Sequence, residues 1–100
     1  MGAWQLERTQ RAEEDLLEIW LYVARDSPAA ADRLLDDFAD LFAKTADFPR
    51  IGRAVEGVAD YRMLTCAHYL LFYRLIEKEH RVQLARVLHG ARDWPALFDA

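Results

Sequence analysis

Apolar positions change their spacing twice along these 100 residues. In AWQLER, Trp4 and Leu6 alternate with Gln5 and Glu7, the period of a short strand with one buried face. Thr9 then offers an N-cap hydroxyl, and Glu13 and Glu14 stand in the next turn, where carboxylates suit the helix dipole. Ala12, Leu16, Ile19 and Val23 follow at spacings of three and four, which predicts a helix over about Gln10 to Ala24. Ser27-Pro28 supplies a second cap with proline at the first helical position. Ala31, Leu34, Leu35, Phe38, Leu41 and Phe42 then keep helical spacing until Phe48-Pro49, since the residue before proline is pushed out of the helical region. Two helices joined so closely predict an antiparallel hairpin.

Residues 50–60 hold Gly52 and Gly57, show no period, and read as a loop. Beyond them the pattern becomes that of strands: Tyr61–Cys66, Tyr69–Ile76 and Val82–His89, rich in aromatic and branched residues. The connections, Ala67-His68 and Glu77–Arg81, are short enough for an antiparallel meander. Asp93 to Phe98 fit one final helical turn. The predicted fold is α+β: an N-terminal strand, an antiparallel helix hairpin and a three-stranded antiparallel meander in two layers. A chain of this length is expected to form a single domain spanning residues 1–100.

Composition narrows the function classes. An apolar share of 53% is ample for a core, and no apolar run approaches the roughly 18–20 residues that span a bilayer. No signal-like stretch precedes Glu7 and Arg8, so a cytoplasmic location is expected. One cysteine, Cys66, makes no internal disulfide, and no Cys/His spacing resembles a zinc site. Neither metal nor cofactor is expected. The net charge of −4 divides unevenly: residues 1–49 hold five basic and eleven acidic side chains, residues 50–100 eight and six. An anionic partner would therefore meet the second half, unless the helices merely take the solvated carboxylates.

Two features exceed the needs of a fold. At about 100° per residue, Trp20, Leu17, Leu21 and Ala24 widen the first helix's apolar arc to roughly 200°, where about 100° is usual. Either the second helix covers part of that flank or a partner protein does, with Leu17, Trp20 and Leu21 as the contact. The second feature is Arg62, Arg74 and Arg86, one per meander strand. A two-residue turn at Ala67-His68 sets Arg62 opposite Tyr73, and a four-residue loop at Glu77–His80 sets Arg86 opposite Leu71. Arg62 and Arg86 then share the helix-facing side with Leu71, Tyr73 and Leu75, where a buried arginine needs a carboxylate such as Asp15. Arg74 falls on the other face with Leu70, Phe72, Val87 and His89. There Arg74 and His89, with Arg92 just past the strand, form a candidate anion-binding surface.

Five segments in order, A-E-E-D-L-L-E-I-W, F-P-R-I-G-R, Y-R-M-L, F-Y-R and R-V-L-H-G-A-R-D, make the chain resemble the ParE toxins of the ParE/RelE toxin–antitoxin superfamily. The resemblance covers essentially the whole chain. It implies the RelE/ParE-like two-layer fold and a toxin of a type II toxin–antitoxin, plasmid-stabilisation system. It further implies a ParD-like antitoxin whose C-terminal segment wraps the Leu17, Trp20 and Leu21 flank in a hetero-oligomer. ParE-type members inhibit DNA gyrase by binding; RelE-type members are ribosome-dependent mRNA endonucleases. RNA cleavage through a 2′-hydroxyl needs groups that take a proton, give a proton and stabilise the phosphorane. The arginine that RelE-type toxins place early in the middle strand falls at Leu70, no lysine lies near Arg62, and Ala96 or a neighbour replaces their tyrosine. Arg74, His89 and Arg92 would have to serve a nuclease; on the ParE reading they are target-binding, and the chain is not an enzyme.

Several groups keep structural readings. His89-Gly90 ends the last strand, with Gly90 allowing the turn, and Arg92 and Asp93 pair or cap the final turn. His68 and His80 read as solvated turn residues, Cys66 as core filler, and Arg50 and Arg53 as solvated loop cations.

Overall fold

The computed structural model describes residues 3–90. In chain order these form β1 (Gln5–Arg8), α1 (Gln10–Ala24), α2 (Pro28–Ala43), β2 (Arg53–Ala54), β3 (Tyr61–Cys66), β4 (Tyr69–Ile76) and β5 (Arg81–His89). Single 3-10 turns follow α2 at Lys44–Ala46 and β4 at Glu77–Glu79. Both helix starts are capped by the residues that the sequence marks. Thr9 Oγ1 accepts from Ala12 N at 3.0 Å, and Ser27 Oγ accepts from Ala30 N at 3.1 Å. α2 ends at Ala43 rather than at Phe48, because the chain tightens into the 3-10 turn, where buried Thr45 donates its hydroxyl to Phe42 O at 2.6 Å.

The sheet has five strands in the order β1-β5-β4-β3-β2, and only the β1–β5 pair is parallel. The helices cover one face of it. Ala12, Leu16 and Ile19 of α1 and Phe38 and Phe42 of α2 pack on Leu71, Tyr73, Leu75, Val82, Leu84 and Val87. The opposite face has a smaller cluster of Val55, Met63, Phe72 and Leu88. Two elements differ from the sequence-based expectation. β1 takes β5 as its partner, with Gln5 beside Arg81 and Arg8 beside Leu84, a pairing that no local pattern announces. The loop after α2 also contributes a two-residue edge strand, Arg53–Ala54, paired with Arg62 and Met63.

One residue changes the register of the meander. Arg62 lies opposite Tyr73, and Ile76 opposite Arg81, as turn lengths dictate. Between Phe72 and Tyr73, however, β5 bulges: Tyr73 pairs with Leu84 and Phe72 with Arg86, leaving Ala85 without a partner on β4. Arg86 therefore faces Phe72, not Leu71. A one-residue slip exchanges the faces of everything beyond it, so Val87 joins the helix-facing core instead of Arg74's face. The start of α1 satisfies the freed backbone, since Thr9 Oγ1 donates to Ala85 O at 3.0 Å and Val87 N donates to Asp15 Oδ2 at 3.0 Å.

The expected final turn at Asp93–Phe98, and Arg92 with it, lie outside the described residues.

Candidate functional site

The α1 arc is divided between the fold and the surface. Trp20 is half-buried against α2, and its indole Nε1 donates to Asp32 Oδ1 at 2.8 Å. Leu17 and Leu21, one turn apart, stay 59% and 53% exposed, too much surface for ordinary core residues. So α2 claims Trp20 and leaves the two leucines. On the same hairpin, α1 and α2 part over β1 and leave a groove of about 280 Å³. Leu16, Leu35, Phe38 and Phe42 line it, with Leu6 and Leu84 from the sheet. Leu6 is 38% exposed, so the inward face of β1 is only partly covered. The sequence pattern placed Leu16, Leu35, Phe38 and Phe42 correctly as inward-facing but gave no sign that a groove would open among them.

Asp15 and Arg86 form the ion pair of the helix–sheet interface. Arg86 Nε donates to Asp15 Oδ2 at 2.8 Å and Nη2 to Oδ1 at 3.2 Å, with Asp15 only 4% exposed. The Val87 N–H is its third donor, and Arg11 Nε stands 3.8 Å away. Arg62 is no part of this pair. It lies two strands away, about 10 Å at the usual strand spacing, and donates Nη1 to Gly52 O at 2.8 Å and Arg50 O at 3.3 Å.

Arg62 belongs instead to a lock on the loop after α2. The buried Tyr73 hydroxyl accepts from Gly52 N at 2.8 Å and donates to Pro49 O at 2.8 Å. A Cβ at Gly52 would stand 2.6 Å from that oxygen and 2.9 Å from Met63 O, so the close approach requires glycine. Burial pushes the Tyr73 phenol above its ordinary value, against the opposing pull of the Gly52 hydrogen bond and the Arg62 charge. F-P-R-I-G-R, Y-R and F-Y-R thus meet in one structure.

Arg74 and His89 are separated. Arg74 pairs with Gln83 and His89 with Tyr69, about 17 Å apart along the strand direction at the usual rise per residue. They also occupy different faces. His89 packs edge-on against Tyr69 at 5.4 Å, and Tyr69 packs on Phe38 of α2, whereas Arg74 lies across the sheet from the helices. The bulge at Ala85 moved His89 off Arg74's face. His89 instead stacks with His68 at 6.2 Å, beside Glu18 and Tyr22 at the far end of α1. Burial, and then the neighbouring Tyr22, raise the Tyr69 phenol. Burial raises the Cys66 thiol, and the Asp37 carboxylate adds to it, which keeps that thiol protonated near neutral pH.

Around Arg74 a polar row crosses the face opposite the helices: Tyr61, Arg74, Gln83 and Glu7 lie side by side on four strands. Glu7 accepts from Gln83 Nε2 at 2.8 Å and from Arg81 Nη1 at 2.7 Å. Among the described residues, no three His, Cys, Asp or Glu side chains gather as a metal site. No helix there is long and apolar enough to cross a membrane.

A helix hairpin laid on this sheet is the architecture of toxin–antitoxin toxins, and the comparisons agree. Residues 6–94 match the model of the ParE toxin of the type II toxin–antitoxin system parDE, so the chain belongs to the ParE toxin family. Among solved structures it resembles one from the chromosomal ParDE system of P. aeruginosa, at 24% identity and a TM-score of 0.73, covering 87% of this chain and 96% of that one. The RelBE2 complex of Mycobacterium tuberculosis follows at 22% identity and 0.63, covering 92% and 97%. The isolated E. coli RelE toxin gives 16% identity and 0.67, covering 95% and 93%. These likenesses extend to the fold. No curated protein matches the sequence.

Proposed function

We propose that the chain is a toxin that inhibits DNA gyrase by binding it, and that a ParD-like antitoxin neutralises it by lying over α1 and the α1–α2 groove. The exposed Leu17 and Leu21 on α1 support the antitoxin contact most directly. Glu13, Glu14 and Glu18 border these leucines on α1, so the covering segment is amphipathic, with basic residues along its edges. A non-enzymatic mode is supported by the spread of the nuclease candidates. Proton transfer needs groups within about 3 Å of the reacting atoms, and Arg74 and His89 lie on opposite faces of the sheet. Purified toxin incubated with gyrase and supercoiled DNA is the test. Loss of supercoiling with accumulation of cleaved DNA is expected. Ribosome-dependent mRNA cleavage that His89→Ala abolishes would replace this reading with the RelE-type one.

A further inference from the structure

β1 leaves one edge of the sheet open. In its parallel ladder with β5, Gln5 N donates to His80 O at 2.9 Å and Thr9 N to Leu84 O at 3.0 Å. The odd-numbered residues of β1 therefore turn their backbone groups to β5, while Trp4, Leu6 and Arg8 turn theirs outward. Trp4 bears out that direction, since its N–H reaches Ala46 O in the turn after α2 at 2.8 Å. The turn covers the edge at Trp4 and stops there. Among the described residues, Leu6 and Arg8 make no backbone hydrogen bond outside the ladder. A strand edge with free N–H and C=O groups is a template for another strand. Leu6 and Arg8 also line the groove, together with Leu35, Phe38 and Phe42 of α2, and Leu6 is 38% exposed there.

We propose that this edge takes an extended segment of the antitoxin as an added strand, in which an acidic and an apolar residue stand two apart. Opposed residues share a face. The residue opposite Leu6 therefore sends an apolar side chain to the groove, and the residue opposite Arg8 sends a carboxylate to the guanidinium. Arg8 is exposed, and none of the ion pairs among the described residues uses it. Antiparallel pairing is slightly the more stable kind, so the segment reads acidic, any residue, apolar. A helix laid in the groove would leave the outward groups of Leu6 and Arg8 without partners, whereas extended backbone bonds to them. A second copy of the chain fits worse. Antiparallel pairing of two β1 edges sets Glu7 on Glu7 or Arg8 on Arg8, or else engages Trp4, whose N–H is already bound. The inference rests on the antitoxin reading and gives one stretch of that partner a conformation and a residue pattern.

Amide hydrogen exchange in the intact protein reads the edge, with acetyl-Thr-Glu-Thr-Leu-Thr-amide as the probe. At saturation the peptide is expected to slow exchange at the Leu6 and Arg8 amides roughly tenfold. N-methylation of its Leu, whose N–H faces β1, should weaken binding by about tenfold. N-methylation of its central Thr, whose N–H faces away, should change binding by less than about twofold. Replacing its Glu with Gln should weaken binding to wild type by about threefold, the scale of an exposed ion pair, and leave binding to Arg8→Gln protein unchanged. Equal effects of the two N-methylations, or binding that leaves both amides unprotected, would overturn the proposal. So would Leu6 and Arg8 amides that are protected before any peptide is added. Protection that grows with protein concentration would then assign the edge to a second copy, and constant protection to the chain's own residues. A peptide that fails to bind sinks the added strand and spares the antitoxin reading, which Leu17→Ser and Leu21→Ser test separately. Antitoxin affinity unchanged in those two variants, beside an edge that the peptide protects, sinks the α1 contact and spares the edge.

Discussion

Asp15 is a carboxylate on an apolar helical stripe, the kind of residue that announces a buried partner, and the sequence allowed Arg86 to be named for it. Three donors converge on that carboxylate: two from Arg86 and the Val87 N–H. Removing one partner of a buried pair strands the other, typically at about 3–5 kcal/mol. Asp15→Ala and Arg86→Ala should each show that loss in urea unfolding. Arg62 was assigned to the same carboxylate wrongly, because its real acceptors are the backbone carbonyls of Arg50 and Gly52, which no residue letter reveals. Tyr73 shows the same limit: strand periodicity marks it as inward-facing, but not that its hydroxyl ties down a loop. Tyr73→Phe loses both of its hydrogen bonds and should destabilise the protein by about 1–3 kcal/mol. Its phenol titrates above the ordinary value of 10.0 in the folded chain. The native state therefore holds that proton more tightly, and the associated stability is complete below about pH 10 and lost as pH rises through the folded value. Wild type should accordingly lose its advantage over Tyr73→Phe in alkaline urea melts.

At the scale of elements, spans and caps were legible because hydrophobic period and capping chemistry are local. The register of β5 was not. The run Ala85, Arg86, Val87, Leu88 has no strict alternation, so it is compatible with either register. The register that forms is the one in which Thr9 and Asp15 receive the freed backbone groups. Deleting Ala85 should restore regular pairing with Val87 still opposite Leu71, at the expense of that arrangement: Thr9 loses the Ala85 carbonyl, and Arg86, opposite Phe72, turns away from Asp15. A stability lowered by several kcal/mol in urea unfolding is expected, the scale of a broken buried ion pair. The α1 flank separates in the same way. Leu17→Ser and Leu21→Ser should weaken the antitoxin complex by tenfold or more, with unfolding shifted by under about 0.5 kcal/mol. Trp20→Ser, which also breaks the Asp32 hydrogen bond, should reduce both folding and binding. Isothermal titration beside thermal melts distinguishes the two behaviours.

For the molecule as a whole, ordered segments identified the family and the two-layer fold, since whole-chain order survives when individual side chains change. The target surface was harder to read. Arg74, His89 and Arg92 were grouped on the assumption of uninterrupted alternation, and one bulged residue put Arg74 and His89 on opposite faces. What emerges instead is a divided surface, with exposed leucines on the helix hairpin and a polar row beside a small apolar cluster on the other face of the sheet. If the antitoxin takes only the helix side, Arg74→Gln should leave its affinity within twofold of wild type, as measured by titration.

The first strand is completed by the last: Gln5 pairs with Arg81 and Arg8 with Leu84, over seventy residues later in synthesis. Until the ribosome has delivered β5, β1 has no neighbour, β4 has a bare edge and Asp15 lacks its cation. Truncated translation products that stop before β5 therefore cannot assemble the polar row that Gln83 completes between Arg74 and Glu7, and they leave the fold with two unfinished strand edges.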